Sequence, residues 1–259
     1  MKIVQLYTAL STGDAISDYI VEINELLKKN GYTTDIYLLH PELNQTNISV
    51  YSYNEIKKLN NEDIILYHHC TETELNYQVC QYTCKKIMIF HNITPPHFFQ
   101  NFSERDAISC QNGYEQTLFM RDKFDYCITV STFNKEILHS LGYDIPIKVS
   151  PIVKKYENDA VPDNNIIDLY SDKYINILFV GRLVPNKKIE DLLKIFCDYK
   201  KRNKKSRLLL VGNDIRMPSY VDVLKRYILD NQLEDVIFTG KCSANALAAY
   251  YTVADVFLC

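Results

Sequence analysis

Short apolar runs of strand length alternate along this chain with longer amphipathic stretches, and that alternation leaves few architectures open. Runs such as Asp63–Tyr67 and Lys86–Phe90 are nearly continuous in apolar residues, as strands covered on both faces must be. Strand, helix, strand in steady succession implies parallel pairing through crossovers, so the expected class is α/β.

The repeat can be followed residue by residue. Lys2–Tyr7 opens as a strand, and Ile16, Ile20, Ile23 and Leu27 then recur at helical spacing on one face. Lys28, Lys29 and Gly31 mark that helix's end, with cations in the last turn and a residue free to take positive φ. Strands follow at Thr34–Leu39, Asp63–Tyr67, Lys86–Phe90, Tyr126–Val130 and Lys148–Ser150, with a helix at Thr132–Leu141 capped by Ser131 and ended by Gly142. The chain turns polar between Lys154 and Tyr174, around Pro162, and reads there as a linker. The alternation restarts with strands Asn176–Val180, Arg207–Val211, Val236–Thr239 and Asp255–Leu258, and helices Ile189–Lys201, Ser219–Asn231 and Ser243–Tyr251. The expected layout is a domain over 1–153, a linker over 154–174 and a second domain over 175–259, each with a parallel sheet. A last strand that should be buried suggests that covering sequence is missing from the second domain.

With 259 residues there is room for two domains of ordinary size. A net charge of -3 gives no bulk polycation to hold nucleic acid, and the tyrosines are spread too widely to form a base-stacking platform. No apolar run reaches the roughly 18 residues of a spanning helix, and no signal peptide is visible, which fits a cytoplasmic protein. The eight cysteines contain no C-x-x-C pair and read as scattered buried thiols, with no metal site.

In open α/β sheets ligands bind beyond the carboxyl ends of the strands, so the residues there are the candidates. The first strand runs into Thr8–Asp14, a small polar loop whose Gly13 feeds a helix start suited to an anion. His68 and His69 follow the third strand. His91, Asn92 and Thr94, then Pro95 and Pro96, follow the fourth. In the second half the strand ends read Gly181-Arg182, Gly212-Asn213 and Gly240-Lys241, so three of the seven glycines hold equivalent positions. Glycine there lets backbone approach a ligand, or merely relieves a tight turn. Arg182 and Lys187 are spaced to reach one diphosphate, or else belong to a solvated basic face running to Arg207. There is no G-x-G-x-x-G, P-loop, G-x-S-x-G or H-E-x-x-H pattern, which removes the usual dinucleotide, P-loop, hydrolase and metalloprotease chemistries.

At this level the motifs resemble a family. Val180-Gly-Arg-Leu-Val-Pro-Asn-Lys-Lys-Ile-Glu-Asp-Leu-Leu193 looks like the donor-diphosphate segment of family-4 glycosyltransferases of the GT-B fold. Leu208–Gly212, Val236–Gly240 and Tyr250–Leu258 come in that family's order and spacing. Gly13–Ile20 and Phe90–Phe99 resemble a bacterial branch acting on cell-surface polysaccharides. The resemblance implies two Rossmann-like domains facing across a cleft, and retaining sugar transfer from a nucleoside-diphosphate donor without metal or other cofactor. Arg182, Lys187 and the N–H of Gly13 would hold the diphosphate, and His91 would face the reacting sugar. Gly181, Gly212, Gly240 and Lys241 would line the nucleotide site, with His68, His69, Asn92 and Thr94 on the acceptor side. A saccharide or lipid-linked acceptor is implied, with peripheral contact at the inner face of a membrane. Lys188 departs from the pattern, standing where the family usually has glycine. The family's carboxylate pair and bracing C-terminal helix would lie beyond Cys259, so the chain reads as truncated. A nucleotide-binding remnant and a sugar-nucleotide epimerase of the same architecture are the competing readings.

Overall fold

The computed structural model describes residues 1–152 and 160–259. Part of the expected linker, 154–159, lies outside the described residues. The chain divides into two compact units, Met1–Pro96 with Arg105–Tyr156, and His97–Glu104 with Glu157–Cys259.

In the first unit the elements run β1 (Lys2–Tyr7), α1 (Ala15–Lys29), β2 (Thr33–Leu38), β3 (Tyr51–Ser52), β4 (Ile64–His69), α2 (Leu75–Gln78) and β5 (Lys85–Phe90). Then come α3 (Glu104–Phe119), β6 (Tyr126–Thr129), α4 (Thr132–Ser140) and β7 (Ile147–Val149). The seven strands form one parallel sheet in the order β3-β2-β1-β4-β5-β6-β7. The order reverses between β1 and β4, the position where such sheets open a crevice for ligands. Helix α1 forms for the reasons visible in its sequence: Asp14 accepts the Ser17 N–H as N-cap, and Lys28 and Lys29 close the last turn. Gly31 follows in the left-handed region at φ 80°. Ile20 is fully buried and packs with Ile16 in one cluster, while Ile23 and Leu27 pack with Tyr19, Ile3 and Ile89 in another. Burying one such side chain stabilises by roughly 1.5–3 kcal/mol.

The second unit holds α5 (Asn164–Tyr170), β8 (Ile175–Val180), α6 (Ile189–Arg202), β9 (Ser206–Val211), α7 (Pro218–Asp230), β10 (Val236–Gly240), α8 (Ala244–Val253) and β11 (Val256–Phe257). Its four strands are parallel in the order β10-β9-β8-β11, with every residue of β9 buried. Residues 97–104 belong to this unit rather than to their sequence neighbours. Phe99 and Phe102 pack on its core, and the Phe102 ring meets Tyr220 edge-on at 5.2 Å.

Several details differ from the sequence reading. The stretch read as linker contains α5, capped by Asp163, with Tyr170 buried against Tyr250. The last strand, expected to be buried, is an exposed edge, Phe257 being 47% exposed. The cysteines are free thiols, but only Cys84 and Cys127 are buried. Helices α2 and α3 and the two-residue β3 were not anticipated. In α3 the buried residues are Ala107, Gly113, Gln116 and Thr117, small or polar side chains that leave no apolar period to read.

Candidate functional site

In the first unit the candidates gather at the carboxyl ends of β1, β4 and β5. The loop after β1 is built from its own polar groups. Ser11 N–H donates to Ser17 Oγ at 3.0 Å, and Thr12 Oγ1 donates to Gln45 O at 2.6 Å. Gly13 takes φ 77° with open space where a side chain would stand, and its N–H finds no partner among the described residues. That leaves one exposed donor beside the start of α1, although the Asp14 carboxylate lies next to it and opposes an anion.

His68 and His69 do not follow a strand; they are its last two residues. Consecutive strand positions point to opposite faces, which separates them. His69 Nε2 pairs with Thr117 Oγ1 at 2.7 Å, and that hydroxyl donates to Gly113 O at 2.7 Å, locking His69 into the packing of α3. Burial pushes its pKa down to about 3. His68 Nε2 meets Gln5 Oε1 at 3.0 Å while its Nδ1 meets His91 Nε2 at 3.1 Å, the two rings stacked with centroids 5.4 Å apart. Tyr19 stands edge-on to both imidazoles, at 6.3 Å and 6.0 Å. Burial holds the His68 pKa well below the usual histidine value and pushes His91 down to about 4, with the Asp14 carboxylate pulling the latter upward. His91 Nδ1 is buried and has no hydrogen-bond partner among the described residues.

The segment after β5 is fixed from below. Asn92 adopts φ 73°, its Oδ1 accepting the Ile93 N–H at 2.7 Å, and Tyr114 of α3 donates to Ile93 O at 2.8 Å. A side chain at Gly113 would stand 3.0 Å from Ile93 Cδ1 and 3.1 Å from Glu72 N, so α3 closely approaches both this segment and the loop after β4. Gln5, Gly113, Tyr114 and Thr117 are thus part of the site's frame and were missed in the sequence. Gln5, a polar residue inside an apolar strand run, was the one visible signal. Thr94 lies in the same segment and is half-buried.

In the second unit the three strand-end glycines come together, and the reason is internal. A Cβ on Gly212 would fall 1.8 Å from Gly181 O, and Gly212 N–H donates to Gly240 O at 3.0 Å. Backbone packs on backbone at Gly212, so that glycine is required by the sheet itself, whereas a Cβ at Gly181 would meet the Phe179 ring and one at Gly240 would meet open space. Gly240 is the last residue of β10, at a register shift, with φ 71°. Beyond this edge Leu183, Val184 and Pro185 are buried and anchor the loop, which leaves Arg182 and Lys187 exposed. Neither cation makes an ion pair among the described residues. Lys241 is likewise exposed. The start of α6 is already partly used. Tyr220 Oη accepts the Ile189 N–H at 2.9 Å and donates to Glu190, and Glu190 and Asp191 occupy the first turn. Lys188, where the family usually has glycine, holds the left-handed conformation at φ 53° and ψ 42°. That conformation explains the glycine: the turn needs it, and lysine there carries strain.

Among the described residues no cluster of three or more metal-ligating side chains occurs, and no helix is long and apolar enough to cross a membrane. No curated protein matches the chain in sequence. Solved structures match its fold over 99% of its length. Sucrose-phosphate synthase from Thermosynechococcus elongatus is 15% identical, with 74% of that chain covered and a TM-score of 0.69. Anabaena HepE in complex with UDP-glucose is 16% identical, with 73% covered and a TM-score of 0.67. A glycosyltransferase from Rickettsia africae is 17% identical, with 72% covered and a TM-score of 0.64. The fold is therefore the α/β arrangement of GT-B glycosyltransferases, with a seven-stranded parallel sheet and a second parallel sheet. Residues 164–259 match the family model described as glycosyl transferases group 1.

Proposed function

We propose that this protein transfers a hexosyl group, with retention and without metal, from a nucleoside-diphosphate donor to an acceptor hydroxyl in polysaccharide or glycoconjugate synthesis. The observation that carries the reading is the family match over 164–259, which includes the loop where Arg182 and Lys187 stand exposed and uncompensated at a glycine-lined strand edge. Sugar transfer leaves a nucleoside diphosphate whose charge grows as the glycosidic bond breaks. Cations already in place stabilise that charge without reorganising. Gly181, Gly212, Gly240 and Lys241 are assigned to the nucleotide, and the Gly13 N–H to a phosphate oxygen. In the first unit His91 is assigned to the transferred sugar. Asn92, Thr94 and the strand-end imidazoles of His68 and His69 are assigned to the acceptor side, His69 acting only through the packing of α3. The acceptor is a saccharide, free or lipid-linked, and the exposed cations Lys187, Lys188, Lys201, Arg202, Lys204 and Lys205 offer contact with an anionic membrane face, while Arg207, expected on the same face, is buried and paired with Asp172.

Uridine diphosphate is the first probe, since HepE was crystallised with UDP-glucose. Calorimetry is expected to show binding to the chain. Arg182→Ala should weaken it by about 1.5–3 kcal/mol, the worth of a charge-assisted hydrogen bond, and leave stability unchanged because the side chain is exposed. Affinity equal to wild type in that variant would remove Arg182 from the donor site.

A further inference from the structure

The hydrogen bonds around His68 admit only one arrangement of protons. Ile20 O can only accept, so the Gln5 amide must turn its NH2 toward it, at 3.0 Å, and present Oε1 to His68. Oε1 in turn can only accept, so His68 carries its proton on Nε2, 3.0 Å away. A neutral imidazole with Nε2–H has a bare Nδ1, and that lone pair faces His91 Nε2 at 3.1 Å. His91 must therefore carry its proton on Nε2 and leave Nδ1 as a lone pair. The opposite assignment would set two acceptors against each other at Gln5–His68, or at Gln5–Ile20 if the amide were turned over. Burial supports the neutral form of both rings.

We propose that Gln5 and His68 are positioning residues that fix the tautomer of His91, so that its Nδ1 is held as an acceptor for a sugar hydroxyl. This rests on the proposed assignment of His91 to the sugar. The structural sign of an absent donor is the Nδ1 atom itself, buried with no partner among the described residues. The relay starts at a helix carbonyl of α1 and ends beside the loop after β5, crossing β1 and β4 where the sheet order reverses. Tyr19 stands edge-on to both rings and Tyr7 to His68, which covers them with apolar ring surface. A histidine free to exchange tautomers would present a donor part of the time and repel the same hydroxyl proton. Here the choice is made by groups that touch no substrate.

Nitrogen-15 spectra of the full chain test this, with the His91 signal identified by its loss in His91→Gln. Wild type should show His91 protonated on Nε2 and bare at Nδ1, with the pattern constant from pH 7.5 to 5.5. Gln5→Met removes the acceptor that orders His68, and the His91 pattern should shift toward Nδ1–H. His68→Asn places an amide oxygen where Nδ1 stood and should preserve the wild-type pattern, whereas His68→Phe should not. Should Gln5→Met fail to fold, the His68 pair gives the same answer. In sugar transfer Gln5→Met should lower kcat roughly tenfold, as loss of a group that orients a reacting ligand does, with uridine diphosphate affinity unchanged. A wild-type His91 protonated on Nδ1, or a pattern untouched by these variants, overturns the relay. A shifted tautomer with kcat unchanged overturns the positioning role, while the donor site stands or falls separately with Arg182→Ala.

Discussion

The two sheets end in opposite ways. At the carboxyl ends of the first, the candidates are buried imidazoles held neutral by desolvation and bonded to Gln5, Thr117 and each other, with Nδ1 of His69 and of His91 left without a partner among the described residues. At the ends of the second they are glycine backbone and exposed cations, with Arg182, Lys187 and Lys241 in solvent and no histidine anywhere in 160–259. A buried neutral ring recognises through the direction of a hydrogen bond. An exposed guanidinium or ammonium recognises charge, and works through water and salt. One architecture, used twice, ends in two different kinds of chemical group, and the proposed function assigns them to different parts of the substrate.

The largest consequence of that difference is a loss of stability between pH 6.5 and 4.5 that the histidines place in the first unit, the lowered carboxyls of Asp172, Asp191 and Asp198 in the second acting only at more acid pH. An unfolded histidine takes up its proton near pH 6.5, while folded His91 resists until about 4, His69 until about 3 and His68 lower than its usual value by a wide margin. Below pH 6.5 the unfolded chain binds protons that the folded one does not. The stability is thus fully present above that pH and is lost as pH falls toward 4. Each such histidine removes about 1.4 kcal/mol per pH unit, and three together about 4. Hydrogen exchange, corrected for its intrinsic pH dependence, should show protection in β4 and β5 collapsing between pH 6.5 and 4.5 while β9 holds. Equal slopes in the two sheets would break the contrast.

Next in size is a difference among glycines that the sequence presents as equivalent. Gly212→Ala drives a Cβ to 1.8 Å from a backbone oxygen that cannot yield, and should cost about 3 kcal/mol or more, or prevent the second unit from folding. Gly13→Ala and Gly240→Ala meet open space and pay only for positive φ, about 1 kcal/mol each. Urea unfolding of the three variants orders them. A mild Gly212→Ala would mean that the strand ends are looser than described, and would return that glycine to the role of ligand approach alone.

The glycines show how far the sequence could be read. Their recurrence after strands was plain, because strands here are apolar runs with a period set by the backbone. That Gly212 is needed by Gly181, 31 residues away, was not, since nothing local records a close approach between strand ends. The histidines failed for the same reason in reverse. A strand was read as ending at Tyr67 because polar residues normally leave the sheet, yet His68 and His69 stay inside it on partners 63 and 48 residues distant. Buried polar pairs are settled by tertiary contact, which a hydrophobic period does not carry. The same holds for α3, whose contribution to the site comes from Gly113, Tyr114 and Thr117 rather than from an apolar stripe.

The smallest effect concerns the turn that presents Lys187. Lys188 sits left-handed at φ 53°, at a cost of about 1–2 kcal/mol for a residue with a Cβ. Two contacts offset part of it: its Nζ lies 5.3 Å from the Phe98 ring centroid, worth about 0.5–1 kcal/mol at an exposed site, and 3.8 Å from Glu190, worth less. Lys188→Gly relieves the strain but gives up those contacts and adds freedom to the unfolded chain, about 0.4–1 kcal/mol. The balance should fall within about 0.5 kcal/mol of wild type. Lys188→Ala gives up the contacts and keeps the strain. Glycine should therefore be the more stable of the two by about 1 kcal/mol, the reverse of their order inside a helix. Urea midpoints that place alanine level with glycine would show the turn to be unstrained. The glycine usual at this position of the family would then need a reason in the ligand, and the second sheet's edge would be shaped by what it binds rather than by its own backbone.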